Sequence, residues 1–381
     1  MRLAFLIGVL ALVLFELANV WFIMPLPFSQ RVRSIDIAYA LYTWRWAIRG
    51  VCAAILLAGV VPAWRTPDWR RWLVPVSLVA VAGVVYAANM VMAADHMFLM
   101  PSRMTMVTAA KNSVERNRLV VGIVINGDAR AYPVRFIGYH HQVRDTVGGE
   151  PVLVTFCTVC RTGRVYSPVI GGRVESTFRL VGMDHFNAML EDGRTHSWWR
   201  QSNGAAIAGP RTGDTMREIP SQQVTLALWL EMHPHSQIMQ ADSSLIDKYS
   251  KNFDSETGTS SSKLTGTDSA SWHDKSWVVG VEVDGHAKAY DWNQLRRERV
   301  LNDVIGATPI VVIMASDNAS YFAFARPDTA TRFTLRGDSL VSATGAFGLS
   351  GRGATGTLAA VQASQEFWHS WKEFHPGTTK Y

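Results

Sequence analysis

The chain has 381 residues, 48% of them hydrophobic, and 37 Lys and Arg against 31 Asp and Glu give a formal net charge of +6. That length leaves room for two or three domains, and three cysteines exclude a disulfide-rich scaffold. The basic excess does not read as nucleic-acid binding. Much of it sits beside apolar runs, where Arg anchors loops to lipid headgroups, and no basic stripe with interleaved aromatics occurs beyond them.

Residues 1–99 read as a membrane region with three transmembrane helices. The first run, LAFLIGVLALVLFELANVWFIM (3–24), is interrupted by Glu16. The second is clearest over VCAAILLAGVVPAW (51–64) and reaches spanning length by including WRWAIRG, with Arg45 and Arg49 near its start. The third, LVPVSLVAVAGVVYAANMVMAA (73–94), carries no charge. Arg2 alone precedes the first run, Glu16 breaks its apolar core, and no small-x-small site comes after it, so a retained anchor in the lipid bilayer is expected in place of a cleavable signal. Arg2 with Arg65, Arg70 and Arg71 falls on one side, and Arg31, Arg33 and Arg45 on the other with the remainder of the chain. The slight imbalance predicts the amino end inside and the carboxy-terminal domain outside. Cys52 lies within the second span and reads as a small packing residue.

Residues 100–117 read as a linker. Beyond it the chain is duplicated: LVVGIVINGDARAYP (119–133) returns as WVVGVEVDGHAKAYD (277–291). The register then holds without a gap through Asp145/Asp303, Gly148/Gly306, Pro151/Pro309 and Val154/Val312. Asn126-Gly127 and Asp284-Gly285 each predict a tight hairpin turn, because both central residues of such a turn need positive φ. PVLVTF (151–156), RVYSPVI (164–170), TFRLVGM (177–183) and AAIAGP (205–210) read as strands. QQVTLALWLEMHP (222–234) reads as a helix, echoed at EFWHSWKEFHP (366–376), so that His233 and His375 correspond. The expectation is a mainly β or α+β tandem: a first repeat over 118–251, a Ser/Thr/Gly-rich connector over 252–275, and a second, degenerate repeat over 276–381.

Where the match ends, the first repeat reads FCTVC and the second MASDN, so Cys157 faces Ala315 and Cys160 faces Asn318. One repeat holds a thiol pair; the other reads as scaffold.

Three stretches carry a resemblance: PVLVTFCTVCRTG, DGRTHSWWRQSNGAAIAGPRTG and the LWLEMHP ending. Over about residues 118–381 the chain resembles the bacterial family catalogued as domain of unknown function 3179. The matching elements are a strand leading into C-x-x-C, an S-x-W-x-Q element (Ser197, Trp199, Gln201) and G-x-A-x-x-G-P (Gly204 to Pro210). A His five residues before an Asp, here His140 before Asp145, also matches. The chain departs from the family pattern at Thr158, Val159 and Arg161, where C-P-L-C-G is usual, and at His185 and His196. The resemblance implies an extracytoplasmic domain, hence a periplasmic one anchored in a bacterial inner membrane, and implies no activity.

The chemistry of the pair has three readings, of which binding or handling of a soft metal such as copper leads. Two thiolates suit copper(I), and an imidazole from His140 or His141 would add a ligand; His185 and His196 are remoter candidates. Glu298 and Arg299 stand opposite His140 and His141, so the repeat with the thiols also has the imidazoles. Zinc is less favoured because a closed site needs four ligands. The second reading is a dithiol cycling with its disulfide, or a metal-dependent oxidoreductase. The third is a structural disulfide in a non-catalytic binding or assembly module. Arg161 occupies the place of a haem-ligating His, which argues against covalent haem. The pair comes after one strand and before another, so it reads as a knuckle between strands and not as a helix start.

Asp145 and Asp303 read as turn-capping carboxylates, His233 and His375 as helix-end packing residues, and Trp198 and Trp199 as core or ligand-wall aromatics. Arg161 either favours a thiolate beside it or faces water. No G-x-S-x-G, H-E-x-x-H or phosphate-cradling G-x-x-x-x-G-K-[ST] occurs. GLSGRGATG (348–356) lacks the strand-to-helix setting of a nucleotide site and reads as loop.

Overall fold

The fold is given by a computed structural model that describes residues 2–32, 34–65, 69–250 and 253–381. Arg33, residues 66–68 between the second and third spans, and the junction at 251–252 lie outside the described residues. The chain divides into two compact units, and neither is one continuous segment.

The first unit comprises Met1–Leu99 with Thr177–Arg200 and Ala205–Asp214. Its helices α1 (Arg2–Trp21), α2 (Ile35–Trp64) and α3 (Leu73–Tyr86) are long and apolar enough to cross a membrane once α3 is continued by the turn to Val91. At 1.5 Å per residue, the 30 residues of α2 extend about 45 Å, more than the roughly 30 Å of a bilayer core. The sequence reading began this span near Trp44; the polar turn at Asp36 and the tyrosines beyond it explain the extra length. Tyr39 and Tyr42 stand 5.1 and 5.3 Å from the Trp198 ring. Trp198 belongs to a four-stranded antiparallel sheet formed by Phe178–Asp184, Asn187–Asp192, Trp198–Arg200 and Ala206–Ala208.

The helices approach closely where they are smooth. A Cβ on Gly59 would lie 2.2 Å from the Phe5 nitrogen, and one on Gly8 2.5 Å from the Leu56 backbone, the small-residue packing on which membrane helices rely. Glu16, which interrupts the first run, is fully buried. Its carboxylate accepts from Arg49 Nε at 2.6 Å and Nη2 at 2.9 Å, and from Asn89 Nδ2 at 3.0 Å. Asn89 sits in a π-helical turn, Ala87–Val91, that continues α3. One polar knot therefore ties the three spans, while Leu3, Leu6, Leu10, Leu14 and Leu17 face outward.

The second unit, Met100–Ser176 with Gln201–Gly204 and Thr215–Tyr381, is the β-rich tandem. Each repeat opens with a hairpin, Leu119–Ile125 with Asp128–Pro133 in one and Trp277–Val283 with His286–Asp291 in the other. Both hairpin turns take the positive φ values the sequence demands (Asn126 49°, Asp284 50°). On one edge the hairpins pair antiparallel with Gln222–Thr225 and Ala363–Phe367. On the other they pair parallel with Gln237–Met239 and Thr379–Lys380. A second sheet succeeds the hairpin in each repeat: Gln142–Val147, Glu150–Cys157 and Thr162–Tyr166, matched by Val300–Ile305, Thr308–Met314 and Tyr321–Ala325.

The duplication extends to side chains. Tyr132 and Arg130 donate to Asp145 at 2.7 and 2.8 Å, as Tyr290 and Lys288 do to Asp303 at 2.9 and 2.7 Å. Asp145 thus anchors a strand pair through an ion pair and a phenol, beyond capping its turn. Trp229 lies over Gly122 and donates to Ser236, as Trp371 lies over Gly280 and donates to Thr378. A Cβ at either glycine would come within 2.3 Å of an indole, which is why both strands carry glycine there.

Two expected helices begin later than the sequence suggested. Gln222–Thr225 and Ala363–Phe367 are strands, and the helices are Leu226–Met232 and Trp368–Phe374. Backbone pairing to the hairpin takes the first residues, and Thr225 then caps its helix by accepting from the Leu228 amide at 3.3 Å. The segment read as a linker also contributes: Met106–Thr108 pairs with Gln237–Met239. Within the connector, the Glu256 carboxylate accepts from the Leu119 amide at 2.8 Å.

Candidate functional site

Cys157 ends one strand, Thr162 begins the next, and the two residues are cross-strand partners. The thiol pair therefore occupies a tight turn between strands, with Arg161 at φ 59° turning the chain. Both thiols are fully buried and neither is in a disulfide. The Cys160 thiol is hydrogen-bonded to Cys157 and in reach of the Ser370 hydroxyl. Burial, and then the neighbouring Cys157, push the Cys160 thiol well above its ordinary range.

Three features enclose the turn. Lys275 Nζ donates to the Val159 carbonyl at 2.8 Å, and His369 Nε2 lies 3.3 Å from the same oxygen. Burial lowers the Lys275 pKa, while both thiols, as the nearest potential anions, work the other way. Burial, reinforced by Lys275, pushes the His369 imidazole down to about 3, so it is neutral. On the far side Ser370 Oγ donates to Glu366 Oε2 at 2.8 Å, and Glu366 Oε1 accepts from Arg164 Nη2 at 3.0 Å. Arg164 also reaches Glu218 at 3.0 Å. Burial opposes its charge, yet the two carboxylates hold the guanidinium above its usual range. The site lies where the repeats meet: the thiols come from one, and Lys275, Glu366, His369 and Ser370 from beside or within the other.

The sequence-derived candidates each have partners. Arg161 does not face water, being 2% exposed. Its guanidinium donates to Gln365 Oε1 (2.9 Å) and to the Ser255 and Glu256 carbonyls (2.7 and 2.8 Å), and lies 3.7 Å over the Trp277 ring. Gln201 Nε2 donates to Thr155 Oγ1 and to the Thr162 carbonyl, both at 2.9 Å, and so ties together the strands flanking the thiol turn. His140 Nε2 meets Tyr249 Oη at 2.8 Å. His141, at φ 62°, places Nδ1 3.2 Å from the Tyr139 carbonyl. Burial pushes His141 down to about 4. Among the described residues no group of three or more His, Cys, Asp or Glu is arranged to hold a metal ion.

His185, His196 and Trp199 belong to the first unit. There His185 Nδ1 pairs with Asp184 at 2.6 Å, His196 Nδ1 lies 3.7 Å from Glu191, and Trp199 Nε1 donates to Asp192 at 2.9 Å.

The residues that sequence reasoning missed were marked by the duplication itself. In the helix echo, Val224 corresponds to Glu366 and Leu228 to Ser370; in the second sheet, Phe322 corresponds to Arg164. One repeat holds thiols where its twin has Ala315 and Asn318. The other repeat holds polar groups, facing those thiols, where its twin is apolar.

A family model described as "Protein of unknown function (DUF3179)" matches residues 99–378. The chain belongs to this family. No curated protein and no solved structure matches it. The matched DUF3179 region takes in the whole thiol site and both repeats, and leaves the three apolar helices ahead of it.

Proposed function

We propose that this membrane-anchored protein of the DUF3179 family works through Cys157 and Cys160 as a reversible dithiol–disulfide couple. The observation that carries the reading is the contact of Cys160 with Cys157 beside the Lys275 ammonium. Two sulfurs in hydrogen-bond reach need little movement to join, and a nearby cation favours the thiolate that must attack. In exchange with a substrate disulfide, one thiolate attacks a substrate sulfur and releases the first substrate thiol. The second cysteine then displaces the other, so a disulfide forms here as two substrate thiols leave. Because the thiols are enclosed, exchange requires the turn to release its Val159 carbonyl from Lys275 and His369.

A second reading keeps the same sulfurs as a soft-metal site, with copper(I) the best match in ligand type. Lys275 favours it, since an ammonium would offset the negative charge left when two thiolates share a monovalent ion. His140 or His141 would join through the ring nitrogen that does not face Tyr249 or the Tyr139 carbonyl. We place the tandem on the extracytoplasmic, periplasmic side of a bacterial inner membrane, supported by the arginine distribution around the spans.

The couple is tested on the full chain with Cys52→Ala, equilibrated in glutathione buffers of graded potential, then alkylated and weighed. A two-electron transition that Cys160→Ser abolishes supports the reading. A pair that stays reduced or oxidised throughout refutes it.

A further inference from the structure

A cavity of about 860 Å3 lies against the Trp229–His233 end of the amino-terminal repeat. Its counterpart by the duplication, at the Trp371–His375 end of the other repeat, encloses about 330 Å3. Gly122 lines the first and Gly280 the second, each beneath its tryptophan. The other walls differ in one direction. Where the small cavity has Arg164, Glu218 and Glu282, the large one has Phe322, Ala360 and Val124. Arg164 occupies its side with ion pairs to Glu218 and Glu366; Phe322 leaves the equivalent space open and apolar.

The large cavity has a further wall. Residues 333–358 form a small sheet that packs its Phe347 and Leu349 into the core containing Trp229 and Phe322. This segment carries the GLSGRGATG stretch, and it brings Leu349 and Arg352 to the cavity. Arg352 is exposed and has no ion pair among the described residues. It stands close enough to His233 to add to the lowering of that imidazole by burial. Asp338, on the same wall, is already taken by Arg299 at 3.0 Å and by Ser316. Glu231 also reaches the rim and is exposed, which directs an anion toward Arg352 and away from the helix. Inside, the buried Gln222 Oε1 has no hydrogen-bond partner among the described residues.

We propose that this cavity binds a small molecule with an apolar body, a carboxylate that meets Arg352 and a hydroxyl that donates to Gln222. The volume lies within the ordinary range for small-molecule sites, which are mostly apolar with a few placed polar groups. An anionic end at an unpaired guanidinium gains a charge-assisted hydrogen bond. The inference is independent of the thiol chemistry.

The probe is 6-hydroxy-2-naphthoate, titrated calorimetrically into the full chain in lipid nanodiscs, with empty nanodiscs subtracted and 2-naphthol as the uncharged comparator. Saturable binding at one site per chain is expected. Arg352→Ala should weaken the naphthoate at least fivefold and leave 2-naphthol within twofold. Phe322→Arg, which rebuilds the charged wall, should remove both; if that variant does not fold, Ser350→Trp at the exposed mouth should do the same by filling it. The proposal is overturned by the absence of saturable heat from either probe, or by an Arg352→Ala variant that binds the naphthoate as well as the parent chain.

Discussion

Gln223 Nε2 donates to Gln365 Oε1 at 2.8 Å, and these two residues occupy the same place in the two repeats. A contact between equivalent residues is what a local two-fold arrangement produces, as at a symmetric dimer interface. The symmetry is broken at once, because Gln365 Oε1 also accepts from Arg161 Nε at 2.9 Å. Arg161 is the residue next to Cys160, so the junction of the repeats and the thiol turn share one hydrogen-bond network.

That network makes the two glutamines unequal. Gln365→Leu removes one of three acceptors of a buried guanidinium and is expected to cost about 1.5–3 kcal/mol, the worth of a hydrogen bond to a charged group. Gln223→Leu removes one neutral hydrogen bond and is expected to cost about 1 kcal/mol. Denaturant unfolding of both variants, compared with the parent, measures the difference; equal costs would contradict the assignment.

Lys275 is expected to offset part of the rise that burial imposes on the thiols. In Lys275→Met the favourable ammonium is gone, and the pH at which the native thiols react with iodoacetamide should move upward, with Cys52→Ala as background. Labelling profiles that superimpose would show that Lys275 only anchors the Val159 carbonyl.

His141 carries a pH dependence. Burial pushes its imidazole down to about 4, so between that value and the ordinary 6.5 the unfolded chain binds the extra proton. Its contribution to stability is therefore complete above pH 6.5 and is lost as pH falls toward 4, about 3 kcal/mol for a shift of this size. His141→Asn should flatten the stability profile in that window while tolerating the φ of 62°. His369, held at about 3, contributes with the same sign, so some slope should remain.

In the membrane unit, Glu16→Gln leaves Arg49 facing a neutral amide in an apolar bundle. Loss of a buried ion-pair partner costs about 3–5 kcal/mol in soluble proteins, and loss of thermal stability in nanodiscs is expected here. The pair Glu16→Arg with Arg49→Glu should recover part of it. Indifference to Glu16→Gln would mean that the knot does not hold the spans together.

Much of this fold was legible because its signals are local. Asn126-Gly127 and Asp284-Gly285 specify their turns through φ alone, and the thiols fall between strands because β-rich runs flank them on both sides. The first residues of both echoed helices misled, since Gln222–Thr225 and Ala363–Phe367 become strands only through pairing with hairpins far away in sequence. The site was half legible for the same reason. Cys157 and Cys160 announce themselves by spacing, whereas Lys275, Glu366 and Ser370 arrive more than a hundred residues later by packing of one repeat on the other. His140 and His141 stood out because the repeat with the thiols also has the imidazoles, and in the fold one ring nitrogen of each meets Tyr249 or the Tyr139 carbonyl. For Glu366 and Ser370 the sequence does carry one signal, their exchange for Val224 and Leu228 in the other repeat.

The most direct test of the dithiol assignment is copper and zinc content together with free-thiol count, on the full chain purified from membranes without reductant or chelator. The account expects less than a tenth of an equivalent of metal per chain, and a Cys157/Cys160 pair that one disulfide reductant opens and one disulfide oxidant closes. Stoichiometric copper that survives dialysis and disappears in Cys157→Ser would contradict it and establish the metal site instead.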